Sequence, residues 1–573
     1  MIRLKPWMVA VWLSAVGAAA QDATRPAATQ PAALSTVLRR LPDDAHLVLV
    51  VPNLKTATDG ARGLARSIGV QKLDGLEPHA VLAWALGAQA RFFDGDGPLV
   101  VAISAQQGEP VILGRRAGEE PTTTAPAEPV ADARLFELGE GGSLALTTDG
   151  VVVLSRESAD LRRALRSRGQ VARELESRCG DLLARQHLVL YLDAPPWNDW
   201  LTQQLQVVAQ SMYLGMATMP DAAEGIQLWK WMFEQAERLA GELQRVVGAL
   251  RIDGAGLRAE VQIDFQEGGA AARYLAAVRK SDKDLLRGLP VGDAAVVFAY
   301  EWELASDVEG VEASLLRAVT RTESLREKMG DRLDEAVERS IAMQRRISGS
   351  SGMLAGSPEV AGFLFSGLYL TSQPVTVRRD LRTLYESCPE LMSAWGGLPS
   401  FQLRPLTEEV AGVTADVYDF SMLSDDAEIQ SALEAMYGRD PRLYLAEHSQ
   451  GLAYALGPRD AARASLERLL VATSSAPSRD PRVDALFTTL SPGPQFCILV
   501  DAPRSLRWLR ALVQRMGLPI FVAVPDTGTA PLAGFALYLD RTAVRAELLV
   551  PAEALRQVVA AFGGPEGAPQ TDQ

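Results

Sequence analysis

The chain has 573 residues, 47% of them hydrophobic, and a formal net charge of −14. That is enough length and apolar content for more than one full core. Dispersed acidic charge on this scale argues against general nucleic-acid binding, and 3 widely separated cysteines (Cys179, Cys388, Cys497) exclude a disulfide framework.

At the start, Arg3 and Lys5 precede an apolar run from Trp7 to Val16, and Ala18-Ala19-Ala20 offers the small residues a signal peptidase needs. Residues 1–20 therefore read as a cleavable signal peptide, cut before Gln21. The run is shorter than the about 20 apolar residues of a membrane span. An exported protein, periplasmic or extracellular, is expected, with no transmembrane segment after cleavage. The nearest later stretch, Gly352 to Leu370, is interrupted by Ser357, Pro358 and Glu359. Residues 21–36, 117–131 and 563–573 read as a flexible leader, a mobile surface loop and a disordered tail, because they carry too little apolar surface to repay ordering.

Four kinds of unit then recur in one order. A strand opened by Leu-Pro appears at Leu41-Pro42 leading into His46–Val51, and again at Leu289-Pro290 leading into Ala295–Tyr300. After the first, Leu54, Ala57, Ala61, Leu64, Ala65 and Ile68 mark one face of a helix. A hairpin and helix follow: Leu144–Thr147 turns at Asp149-Gly150 into Val151–Leu154, with Ser158 expected to cap a helix. Its counterpart is Leu443–Ala446, a turn near Gly451, Leu452–Leu456 and a helix bearing Leu466, Leu469 and Leu470. The third unit runs from His187–Leu192 into Asp193-Ala194-Pro195 and Trp200-Leu201, and from Phe496–Val500 into Asp501-Ala502-Pro503 and Trp508-Leu509. The fourth pairs Ala249–Asp253 and Leu257-Arg258-Ala259-Glu260 with Ala536–Asp540 and Val544-Arg545-Ala546-Glu547. In its first occurrence Leu257, Ala259, Val261, Ile263 and Phe265 alternate with polar residues, as on a half-buried antiparallel strand.

The shared order implies two tandem homologous copies, 37–284 and 285–562. Each is expected to be α+β: a mostly antiparallel sheet with helices on one face, plus a helical insertion at 197–247 and at 305–346. The Leu-Pro-x-x-Ala strand opening, the Asp-Gly hairpin before a helix and the strand pair around Ile252-Asp253-Gly254 resemble a family of exported bacterial proteins of unknown function. That resemblance implies an envelope location and supplies no catalytic residue.

No catalytic, metal or cofactor motif stands out, so a non-enzymatic protein without cofactor is expected. His46, His79, His187 and His448 share no ligand spacing, and Gly-x-Ser-x-Gly is absent. Asp193 and Asp501 read as helix-start residues followed by proline. Asp94-Gly95-Asp96-Gly97 reads as a turn rather than a calcium loop. Arg345-Arg346 with Ser348–Gly352 reads as a flexible linker rather than an anion loop. The first insertion crowds Trp197, Trp200, Met212, Tyr213, Met216, Met219, Trp229, Trp231, Met232 and Phe233. Trp197, Trp200, Met212, Met216, Trp229, Trp231 and Phe233 are candidates for a ligand or partner surface, with packing as the alternative. The expected role is partner binding or scaffolding in the envelope; the alternative is carriage of a lipid or other apolar ligand on these helices.

Overall fold

A computed structural model of the chain describes residues 32–562, except 74, 106–108, 122–127, 139–141, 217–222, 282–283, 291, 293, 306–309, 321–325, 328, 356–362, 388–400, 423–426, 439, 473–479 and 516–529. Residues 1–20, expected to be a signal peptide, residues 21–31 of the expected leader, the expected tail 563–573, Met219 and Cys388 lie outside the described residues.

In chain order the elements begin with α1 (Ala32–Leu38), β1 (Leu47–Val51), α2 (Leu54–Ser67), α3 (Pro78–Leu86), β2 (Leu99–Ile103), β3 (Pro110–Arg115), β4 (Glu128–Val130) and β5 (Ala133–Leu138). Then come β6 (Gly142–Thr147), β7 (Val151–Ser155), α4 (Ser158–Leu165), α5 (Gln170–Arg185), β8 (Leu188–Asp193), α6 (Asn198–Met216) and α7 (Ala223–Gly241). They are followed by β9 (Leu243–Asp253), β10 (Gly256–Phe265), α8 (Ala270–Ala277), β11 (Val278–Lys280), β12 (Ala294–Leu304), α9 (Val311–Val319) and α10 (Arg332–Gln344). Next are β13 (Gly349–Ala355), β14 (Phe365–Leu370), α11 (Pro374–Ser387), β15 (Phe401–Val410), β16 (Val413–Met422), α12 (Ala427–Tyr437), β17 (Pro441–His448), β18 (Gly451–Pro458) and α13 (Arg459–Val471). The chain closes with α14 (Pro481–Thr489), β19 (Phe496–Val500), α15 (Ala502–Arg515), β20 (Ala533–Leu539), β21 (Ala543–Pro551) and α16 (Ala552–Phe562).

The elements fall into two compact units. The first takes the chain up to Asp199, then Glu242–Gln266 and Ala543–Arg556; the second takes Trp200–Gly241, Glu267–Thr542 and the chain from Gln557. The sheet of the first unit runs β4-β5-β6-β7-β3-β2-β1-β8-β9-β10-β21, antiparallel at every step. The sheet of the second runs β15-β16-β17-β18-β14-β13-β12-β19-β20, also antiparallel throughout, with β11 paired to the end of β12. From β4 and β15 to β9 and β20, the two orders coincide position for position.

Helices cover both faces of each sheet, not one as the sequence suggested. In the first unit Val48 and Val50 of β1 join a core closed by α1, α4 and α5, while Val51 joins another closed by α2 and α3. The reason is visible in β1 (LVLVV) and β7 (VVVLS): consecutive apolar residues point to opposite faces, so both must be buried. In the second unit Leu443, Leu445 and Tyr454 pack with α9, α10 and α11. On the opposite face, the Ser465 hydroxyl of α13 donates to Ser366 of β14 at 2.8 Å.

Other expectations shift locally. Helix α4 starts at Ser158 itself: Glu157 holds the extended cap position (φ −112°, ψ 134°), and no side chain caps it. Residues 32–38, inside the expected leader, form α1 with Leu34 buried. Residues 128–130, inside the expected loop, form β4 against β5. In β10 the apolar row is buried only at Leu257; Val261 is 37% exposed. The Asp94–Gly97 turn closes as expected, with Gly97 N–H donating to Asp94 O at 3.1 Å.

The Ser/Gly segment expected to be a linker is β13, a central strand. Here small residues serve packing. The Phe298 and Phe365 rings, on the strands either side of β13, stack 5.6 Å apart, and Tyr454 lies 5.6 Å from Phe365. A Cβ on Gly352 would come within 2.5 Å of the Phe298 ring and 2.8 Å of the Tyr454 hydroxyl. Glycine there lets aromatic rings meet across the strand.

Candidate functional site

The second unit holds a cavity of about 880 Å³ at the end of its sheet where β12 and β14 finish. That size falls within the roughly 300–1,000 Å³ of small-molecule sites. Its floor is Tyr300 and Trp302 of β12, Tyr369 of β14 and the Ser449-Gln450 turn. Helices α9, α10 and α11 form its roof through Ala313 and Leu316, Ile341 and Met343, and Leu381, Leu384 and Tyr385.

The alternation of β12 places the floor. Residues 298, 300 and 302 share one face of the strand, so the aromatic row that starts at Phe298 over β13 continues into the cavity. The Tyr300 and Trp302 rings lie 4.8 Å apart, and Tyr369 lies 4.7 Å from Tyr454 behind it. Tyr369 and Tyr385 have their rings enclosed by protein and keep accessible surface along the cavity they line. Burial pushes both hydroxyls up from the ordinary phenol range, so they stay protonated.

Three guanidiniums line the same space. Arg287 is held by the buried Glu301 through two contacts of 2.5 Å, Nη1 to Oε2 and Nη2 to Oε1. Its Nε is buried and has no hydrogen-bond partner among the described residues. Arg346 donates to Asp380 at 2.9 Å and to Ala342 O at 3.1 Å. Arg345, just past α10, is exposed, and among the described residues its side chain has no carboxylate partner. Glu303 is the single carboxylate among the described lining residues, and its register partner on β11 is Arg279.

The Met/Trp-rich residues sit elsewhere. None lines this cavity. Trp197 lies in a short 3₁₀ turn before α6, and Trp200 and Met212 lie on α6. The Met216 side chain is outside the described ones. Phe233 of α7 is approached by Trp229 of the same helix at 6.2 Å and by Tyr213 of α6 at 6.0 Å. The Trp231 indole N–H donates to Ser314 Oγ on α9 at 3.3 Å. Helix α7 therefore packs on the helix that roofs the cavity. The cavity itself escaped sequence reasoning; the available signal was the pairing of Arg345-Arg346 with the Tyr300-Trp302 alternation.

The remaining polar candidates make structural contacts. Asp501 accepts from Arg504 N–H at 3.1 Å at the start of α15 and from Arg482 at 2.8 Å. Asp193 ends β8 instead, its N–H donating to His46 O at 2.7 Å, and burial pushes its carboxyl up. His46, His187 and His448 each use Nδ1 to accept a backbone N–H. Burial lowers His187 to about 4, with Arg251 adding to the effect, and also lowers His448. Cys179 and Cys497 are buried, and burial pushes the Cys179 thiol up to about 11. Among the described residues no helix is long and apolar enough to cross a membrane, and no group of three His, Cys, Asp or Glu side chains could hold a metal.

No family model and no curated protein matches this chain. Among solved structures, crystal form I of TP0453 is similar over 49% of this chain and 98% of its own, with 10% identity and a TM-score of 0.20.

Proposed function

We propose that this is an exported, non-enzymatic binding protein whose second unit holds a small amphipathic molecule. The observation that carries the reading is the cavity of about 880 Å³, with an aromatic floor, an aliphatic roof and guanidiniums in its wall. An apolar body would be dehydrated against Trp302, Tyr369 and Leu316, and a polar end would meet the donors. Export rests on Arg3, Lys5, the apolar run Trp7–Val16 and Ala18-Ala19-Ala20.

The coincident strand orders support descent of both units from one duplicated α+β module. The recurring motifs fall on equivalent strands: Leu-Pro before β1 and β12, Asp-Ala-Pro after β8 and β19. The test of function is native mass spectrometry of gently purified protein beside the same sample denatured. A small-molecule mass that is retained natively and released on denaturation is expected. A bare chain that also takes up no added amphiphile contradicts the reading.

Partner binding is a second reading, favoured by a different observation. On α6, Trp200, Val207 and Leu214 repeat at seven-residue spacing and are 50, 57 and 74% exposed. Such an apolar stripe suits docking to another helix. Cross-linking from Trp200 or Leu214 in intact cells should trap one specific partner; diffuse labelling would remove this reading.

A further inference from the structure

We infer that the cavity of the second unit selects an acid-headed ligand, a long-chain carboxylate, and that Arg345 is the residue that anchors its head. This inference rests on the binding role proposed above and adds the ligand's charge. Among the described residues, three arginines and one glutamate line one cavity in a chain whose net charge is −14. Positive lining in an acidic protein concentrates an anion there.

The three arginines are not equivalent. Arg346 is committed to Asp380 and to the end of α10 through Ala342 O. Arg287 is locked by Glu301, which holds its planar group in the wall and leaves the buried Nε donor without a partner among the described residues. An unpaired buried donor is costly, and a ligand oxygen would satisfy it. Arg345 lines the cavity, is exposed just past α10 and has no carboxylate partner among the described residues, which suits its fork of donors to a ligand carboxylate. Glu301 and Asp380 answer the charges of Arg287 and Arg346, so among the described lining residues Arg345 is the guanidinium left to meet a ligand's charge.

The remaining wall suits the tail. Leu316, Ile341, Met343, Leu381 and Leu384 offer aliphatic surface, and the Tyr300, Trp302 and Tyr369 rings offer flat apolar faces. The aliphatic side chains and ring faces suit an extended hydrocarbon, while Ser340, Gln344, Thr371, Gln373 and Gln450 place further hydrogen-bonding groups on the lining.

The experiment uses the full mature chain, a fluorescent long-chain carboxylate and the methyl ester of the same chain. The acid should bind at least about tenfold more tightly than the ester, the usual effect of one charge-assisted contact. In Arg345→Gln the acid should fall to the ester's affinity while the ester is unchanged; Arg345→Lys should recover part of the loss. Equal affinity of acid and ester, with Arg345→Gln altering neither, overturns the head-group assignment and leaves the cavity reading standing. Binding of neither probe overturns both. Loss of acid and ester together in Arg345→Gln, with an unchanged circular dichroism spectrum, also overturns the assignment, because a head-group anchor discriminates between them.

Discussion

The two units carry the same succession of strands, yet the sheet face that α2 and α3 cover in the first is filled, while the face under α9, α10 and α11 in the second borders a cavity. On β1 of the first unit, α2 and α3 close down with Leu54, Leu82, Leu86, Phe92 and Phe93 into a continuous apolar core. On β12 of the second, the corresponding cover is α9, α10 and α11, which stand over Tyr300, Trp302 and Tyr369 and leave about 880 Å³ between. The strand order alone therefore does not make a binding site. What differs is the segment after the Leu-Pro-opened strand: a helix capped by Asn53, whose Oδ1 accepts from Thr56 N–H at 2.7 Å, or a charged helical insertion. A shared sheet acts as the rigid platform, and the helices inserted into it decide whether its end is core or cavity.

The contrast is sharpest for large-to-small changes. Phe92→Ala removes a fully buried ring and should cost about 3–5 kcal/mol, whereas Trp302→Ala, at a wall already bordering empty space, should cost no more than about 2 kcal/mol. Chemical denaturation checks both; equal losses would mean that the second unit is as solid as the first.

The next effect is pH dependence in the first unit. His187 accepts from Ile252 N–H through Nδ1 and is held neutral, with its folded pKa lowered to about 4. The unfolded chain takes up the proton first as pH falls, so stability should decline from about pH 6.5 down to pH 4, by roughly 3 kcal/mol in full. His187→Asn keeps an acceptor and removes the titration. Its denaturation free energy should be flat across that window apart from the carboxylates common to both proteins. A slope identical to that of the parent would show that His187 does not carry the effect.

Filling substitutions reverse the first comparison. Ala164→Leu, inside the closed core, should cost about 1–3 kcal/mol. Ala313→Leu, in a buried position that also borders the cavity, should cost less than Ala164→Leu while weakening the long-chain carboxylate. The smallest expected effect lies where β10 meets β21. Glu260 and Glu547 stand directly opposite, and Arg258 reaches both, at 3.0 and 3.6 Å, while Arg545 lies 2.8 Å from Glu547. Arg258→Leu removes one of two countercharges and should cost about 1 kcal/mol, less at high salt. A salt-independent loss would point to packing instead.

Much of the sheet was legible, because its signals are local. The Asp149-Gly150 turn between apolar runs gave the β6–β7 hairpin, and Asp193 and Asp501 marked the ends of β8 and β19. Two-faced burial is written in LVLVV and VVVLS, whose unbroken apolar runs differ from the alternation of a strand buried on one face. The strand at 349–355 was hidden, since Gly352 is there for Phe298 and Tyr454, residues far away in sequence. The cavity was hidden for the same reason: Tyr300, Arg345, Tyr369 and Gln450 become neighbours only when β12, β14 and the β17–β18 turn share one end of a sheet. Conversely, the Trp/Met crowd on α6 and α7 was conspicuous in sequence, and the structure places it behind α9 through Trp231 and Ser314 rather than in the cavity wall.

Hydrogen–deuterium exchange with and without the long-chain carboxylate tests the central claim most directly. Binding in the second unit predicts added protection at residues 300–305, 340–348 and 369–373, and none in β1, α2 or α3. Protection confined to α6 and α7, or to the first unit, would contradict it.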